Sequence, residues 1–95
     1  MHQYSEAKIA SAQPSRIAKR LLNHWKHKFE TAEDEQQFSI YMPAATVLLR
    51  PASDELHVRI QLQDETADLG HLENVVLDHL IRMGQEELQA NWQRI

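Results

Sequence analysis

Two short runs hold the side chains best suited to chemistry: Asn23-His24-Trp25-Lys26-His27-Lys28-Phe29 and Leu72-Glu73-Asn74-Val75-Val76-Leu77-Asp78-His79-Leu80. Three of the six histidines fall in them, beside the largest apolar side chains. An imidazole so placed is a proton carrier, a metal ligand, or a core group with a private hydrogen bond. His24 and His27 stand at i, i+3, a helical spacing that lets two imidazoles approach one ion. His79 is the natural third ligand. The candidate metal set is therefore His24, His27 and His79, with iron or zinc as the ion and haem as a variant. A small enzyme using His79 as general base is a further alternative. Against these stands a plainer role. His79 projects between Val75 and Met83 on an apolar stripe, where a core histidine with its ring N–H on a carbonyl or carboxylate is expected. Zinc sites usually carry cysteines or a His-Glu-x-x-His run, and neither is present. Packing and surface roles therefore outweigh metal.

His57 and Arg59 share one face of an alternating strand, with Arg50 expected nearby on the adjacent one. A solvated sheet face is the default reading; a shallow anion or partner site is the alternative. Lys19, Arg20, Lys26 and Lys28 make the first helix locally basic, which a solvated face explains equally well. Trp25, Phe29 and Trp92 read as core rather than as a stacking platform. No serine sits in a Gly-x-Ser-x-Gly elbow, and Gly70 and Gly84 are too few for a phosphate loop. No catalytic residue is assigned, and the weight falls against an enzyme.

The elements that must position these groups follow from periodicity. Residues 3–10 form a weak first strand. Pro14 opens a helix to about residue 27, capped by Ser11 or Ser15, with Ala18, Leu21, Leu22, Trp25 and Phe29 on one face and Ile17 at its edge. Residues 28–32 turn extended, and Glu33-Asp34-Glu35-Gln36 is an acidic turn. Phe38, Ile40 and Met42 alternate as a strand, Val47 and Leu49 as another. Leu56, Val58, Ile60 and Leu62 alternate with polar residues and give the clearest strand, with one buried and one wet face. Asp64 starts the second helix, whose stripe is Leu69, Leu72, Val75, Val76, Leu80 and Met83, and Gly84 ends it. Leu88, Ala90 and Trp92 alternate as a last strand. The order β-α-β-β-β-α-β predicts an α+β two-layer sandwich: a mostly antiparallel sheet with both helices on one face.

The composition bounds the rest. The 95 residues fit one domain over 1–95. The net charge of −4 disfavours general binding to nucleic acid or to an anionic membrane. No apolar stretch approaches the ~20 residues of a membrane span. There is no cysteine, hence no disulfide. The first residues carry no apolar leader segment, so a cytoplasmic location is expected.

His24-Trp25-x-His27-Lys28-Phe29, then Leu72-Glu73-x-Val75-Val76-x-Asp78-His79-Leu80 and a closing Glu87-Leu88 with Trp92, resemble a small bacterial family known as a domain of unknown function. The resemblance runs from about Ala7 to Trp92. Similar domains occur joined to siderophore-interacting flavoproteins, which reduce ferric chelates. The resemblance therefore implies a binding or interaction module accessory to iron-siderophore use, with a homodimer and a siderophore-reductase flavoprotein as expected partners. Its matching positions, and the tentative binding residues, are His24, Trp25, His27, Lys28, Asp78 and His79. Met83 and Gly84 depart from the family's Phe and Ala, and the central turn lacks a glycine.

Overall fold

The computed structural model describes residues 4–64, 66–85 and 87–94. The elements are β1 (Tyr4–Ala10), α1 (Pro14–Trp25), β2 (Glu30–Glu33), β3 (Phe38–Tyr41), β4 (Ala45–Pro51), β5 (Glu55–Leu62), α2 (Leu69–Gly84) and β6 (Gln93–Arg94). The strands form one antiparallel sheet in the order β2-β3-β4-β5-β1-β6. The α+β sandwich expected from periodicity is present, with one strand more than the alternation showed. That strand, β2, is Glu-Thr-Ala-Glu and almost wholly exposed, so no apolar period marks it. Its pairing to β3, from Glu30↔Tyr41 to Glu33↔Phe38, makes it a strand.

Alternation decides which face of the sheet is covered. Ala7 and Ile9 of β1, Ile40 of β3, Ala45, Val47 and Leu49 of β4, and Leu56, Val58, Ile60 and Leu62 of β5 are all buried. The helices lie on this face: α1 against β3, β4 and β5, and α2 against β5 and α1. Ile17, Ala18, Leu21, Leu22 and Trp25 give α1 its buried stripe. Ile17, expected at the edge, has no exposure, and Phe29 and Leu72, expected inside, are half-buried.

The helix ends differ from expectation for local reasons. Neither Ser11 nor Ser15 is the N-cap of α1; Gln13 is, and the Ser11 hydroxyl accepts from the Gln13 N–H at 3.0 Å. Asp64 does not start α2. It closes a turn of its own, accepting from the Thr66 N–H at 2.9 Å and the Thr66 hydroxyl at 2.7 Å. Asp68 caps α2 instead, accepting from the His71 N–H at 3.2 Å. The alternation at residues 88–92 is not a strand: the final pairing is Ser5↔Arg94 and Glu6↔Gln93 alone. Leu88 is buried in an irregular segment.

At the far end Gly84 is buried and still helical, and Gln85 takes the left-handed turn at φ 54°. The last carbonyls of α2 are held from α1: Gln13 Nε2 donates to the Gly84 carbonyl at 2.9 Å and Arg20 to the Met83 carbonyl at 2.8 Å. A side chain in the left-handed region costs ~1–2 kcal/mol that glycine avoids. Gln85→Gly is therefore expected to raise stability by ~1 kcal/mol. Thermal unfolding checks this, and a lower midpoint would mean that the Gln85 side chain has a role the turn does not explain.

Candidate functional site

The uncovered face of the sheet carries the most unusual charge arrangement. Register places Lys8 of β1 opposite His57 of β5, and His57 opposite Arg50 of β4. Three basic side chains thus form one row across three strands. The next row is Glu6, Arg59 and Leu48. A shallow concavity of about 580 Å³ lies over them, lined by Glu6, Lys8, Leu48, Arg50, His57 and Arg59 among others. Lys8 and Arg50 carry full charges on either side of His57. Several of these groups have partners. Arg59 Nε meets Glu6 at 2.6 Å and stands 4.9 Å from the Tyr4 ring centre. His57 Nε2 lies 2.9 Å from Glu55. Arg50 donates to Gln37 at 3.3 Å and lies toward Asp34 at the rim. The Lys8 side chain is exposed and makes no hydrogen bond or ion pair with the described residues.

The sequence-predicted histidines come together in part. Trp25, at the end of α1, is buried and places its ring 4.9 Å from that of His79. His24, one residue earlier and exposed, puts its ring centre 5.5 Å from His79. His79 is half-buried rather than central in the core. Its Nδ1 lies 2.7 Å from the Val75 carbonyl one turn back, which can only accept, so Nδ1 donates to it. His27 is not part of the group. The helix ends at Trp25, so the i, i+3 helical spacing does not hold, and His27 is exposed. Among the described residues no three His, Asp or Glu side chains are arranged to hold a metal ion. The expected three-imidazole set is therefore corrected to a pair. Lys28 is exposed, with Nζ 5.6 Å from the Phe29 ring centre, and Asp78 is exposed on α2.

One polar cluster escaped the sequence reading. Glu73 of α2 is buried, and its Oε2 accepts from the hydroxyl of Ser5, which has no exposure. Arg94 of β6 closes the carboxylate's other side, with Nη2 at 3.0 Å from Oε1 and Nε at 3.3 Å from Oε2. Burial alone would raise the Glu73 pKa. The hydrogen bonds from Arg94 and Ser5, with the Arg94 charge, outweigh it and hold the carboxyl below the ordinary glutamate range. The signal was available as spacing. Leu69, Glu73, Val76, Leu80 and Gly84 are the buried residues of α2, so Glu73 occupies the stripe itself.

The family model for an uncharacterised protein conserved in bacteria, DUF2218, matches residues 6–93. The NMR structure of PA4090 from Pseudomonas aeruginosa is 31% identical, with 98% of this chain and 96% of that chain covered and a TM-score of 0.77. No curated protein matches the chain. No helix among the described residues is long and apolar enough to cross a membrane. With nearly the whole length matched, and a solved structure of the same fold alongside, the chain belongs to the bacterial family DUF2218.

Proposed function

We propose that this chain is a non-enzymatic binding module whose uncovered sheet face takes an anionic ligand. One observation carries the reading: the cross-strand row Lys8–His57–Arg50, which lines a concavity together with Arg59. Of the charged side chains lining it, Glu6 is the one acid, against Lys8, Arg50 and Arg59. This local basic grouping runs against a chain whose net charge is −4. An anion seated there would collect charge-assisted hydrogen bonds from Arg50 and Arg59. The resemblance to domains joined to siderophore-interacting flavoproteins supplies the setting. Catecholate chelates of ferric iron are anionic, and a module presenting them to such a reductase fits this surface.

The test uses the gallium(III) tris-catecholate trianion, a diamagnetic counterpart of the ferric chelate, titrated into the protein and followed by amide NMR. Saturable shifts are expected on β1, β4 and β5 around residues 8, 50, 57 and 59. Lys8→Glu with Arg50→Glu should abolish them. Shifts that never saturate, or that fall elsewhere, would remove the anion reading. Equal affinity for inorganic phosphate would keep the anion site and remove the iron setting.

A further inference from the structure

The opposite side of the molecule, at the seam between the helices, holds a second grouping that the anion site does not use. We propose that His24 and His79 form a two-imidazole site for a late first-row divalent cation, open to solvent on its remaining positions. Three features carry this.

The first is separation. Two imidazoles on one tetrahedral ion have ring centres roughly 5 Å apart, given metal–nitrogen distances of about 2.0–2.1 Å. The His24 and His79 centres are 5.5 Å apart, with the rings tilted by 46°. His24 is exposed, so its ring can turn about its side-chain bonds to present a nitrogen to the same ion.

The second is the tautomer. A ligating imidazole usually donates its other ring N–H to a carbonyl or carboxylate, which fixes the ring and raises its basicity. His79 already does so, through Nδ1 to the Val75 carbonyl at 2.7 Å. Its Nε2 lone pair is thereby set for a cation before any ion arrives.

The third is orientation. The buried Trp25 ring packs 4.9 Å from His79, and Phe29 meets Trp25 edge-on at 6.1 Å. One ligand is thus packed against a buried ring while the other, His24, is exposed. Two neutral nitrogens with open positions suit Cu²⁺, Ni²⁺ and Zn²⁺, in the affinity order that favours copper. Two nitrogen donors do not suit hard cations such as Mg²⁺ and Ca²⁺, which take oxygen ligands.

The experiment is a Zn²⁺ titration followed by the histidine ring protons, on a His2→Ala background so that the N-terminal histidine contributes nothing. The His24 and His79 resonances should move on one saturable isotherm of one ion per chain, while His27, His57 and His71 stay. Losing a ligand costs no less than losing a ligand's support, roughly 10–100-fold in affinity. His24→Ala, at an exposed position, should therefore weaken binding by at least about tenfold without touching the fold. His27→Ala should leave the affinity unchanged. Independent isotherms for His24 and His79, or an affinity that falls with His27→Ala and not with His24→Ala, would overturn the site.

Discussion

Glu73→Ala is expected to destabilise the fold by about 2–4 kcal/mol, more than most single changes in a domain of this size. Glu73 joins α2 to both β1 and β6, through Ser5 and Arg94. Truncation leaves the Ser5 hydroxyl, which has no exposure, without its acceptor. A buried polar group left unpaired costs ~1–3 kcal/mol, and the lost packing adds to it. Arg94 behaves differently, because its side chain is 58% exposed and finds water when released. The partners are therefore unequal, and a double-mutant cycle separates them. Ser5→Ala should be nearly free in the Glu73→Ala background, since the orphaned hydroxyl leaves with its cost. Urea midpoints of the four proteins check this. Additive losses would mean that Ser5 and Glu73 do not depend on each other.

The same cluster sets a pH dependence. Glu73 binds a proton less readily when folded than when unfolded, because Arg94 and Ser5 favour the carboxylate more than burial disfavours it. Its contribution to stability is then fully present above the ordinary glutamate value of about 4.3. It is lost as pH falls from there through the depressed folded value. Arg94→Ala removes the principal counterweight to burial, so the folded pKa should rise and this acid-side slope should flatten or reverse. An unchanged acid limb in Arg94→Ala would show that other carboxylates carry it.

How much of this was legible in the sequence depends on whether apolar residues mark it. The alternation of β5 and the face of α1 were, because each buries a regular apolar period against the other. The outer row was half legible. His57 and Arg59 share a strand face by alternation, and Arg50 was expected beside them, but only register brings Lys8 to the other side of His57. The edges were not legible. β2 has no apolar period, and β6 is two residues held by pairing to β1 and by the Arg94–Glu73 contact. In α2, counting apolar residues drew the stripe toward Leu72, Val75 and Met83, all half-buried. The true stripe passes through Glu73, a residue type that is almost never buried unless paired. His79 moves to the flank by the same rotation, which turns a supposed core imidazole into a half-buried one whose ring lies 5.5 Å from that of His24.

Ile60→Ala should cost about 2–5 kcal/mol, the largest loss expected from any single truncation discussed. Ile60 has no exposure and sits near the centre of the sheet, with Val47 of β4 on one side and Ser5 of β1 on the other. Hydrogen-bonded strands on both sides hold the backbone in place, so the space left by the side chain cannot collapse. The cost therefore includes the cavity as well as the lost transfer free energy. Ser5 raises the stakes, because its Glu73 bond lies against the same cavity wall. Stability totals ~5–15 kcal/mol for natural domains, and one of 95 residues lies toward the lower end. The urea midpoint should fall sharply with the slope of the transition unchanged. Gln61→Ala, one residue along on the uncovered face, should stay within about 0.5 kcal/mol of the parent. Equal losses at 60 and 61 would mean that the helices do not cover the face that carries Ile60, an arrangement that the anion and metal assignments both assume.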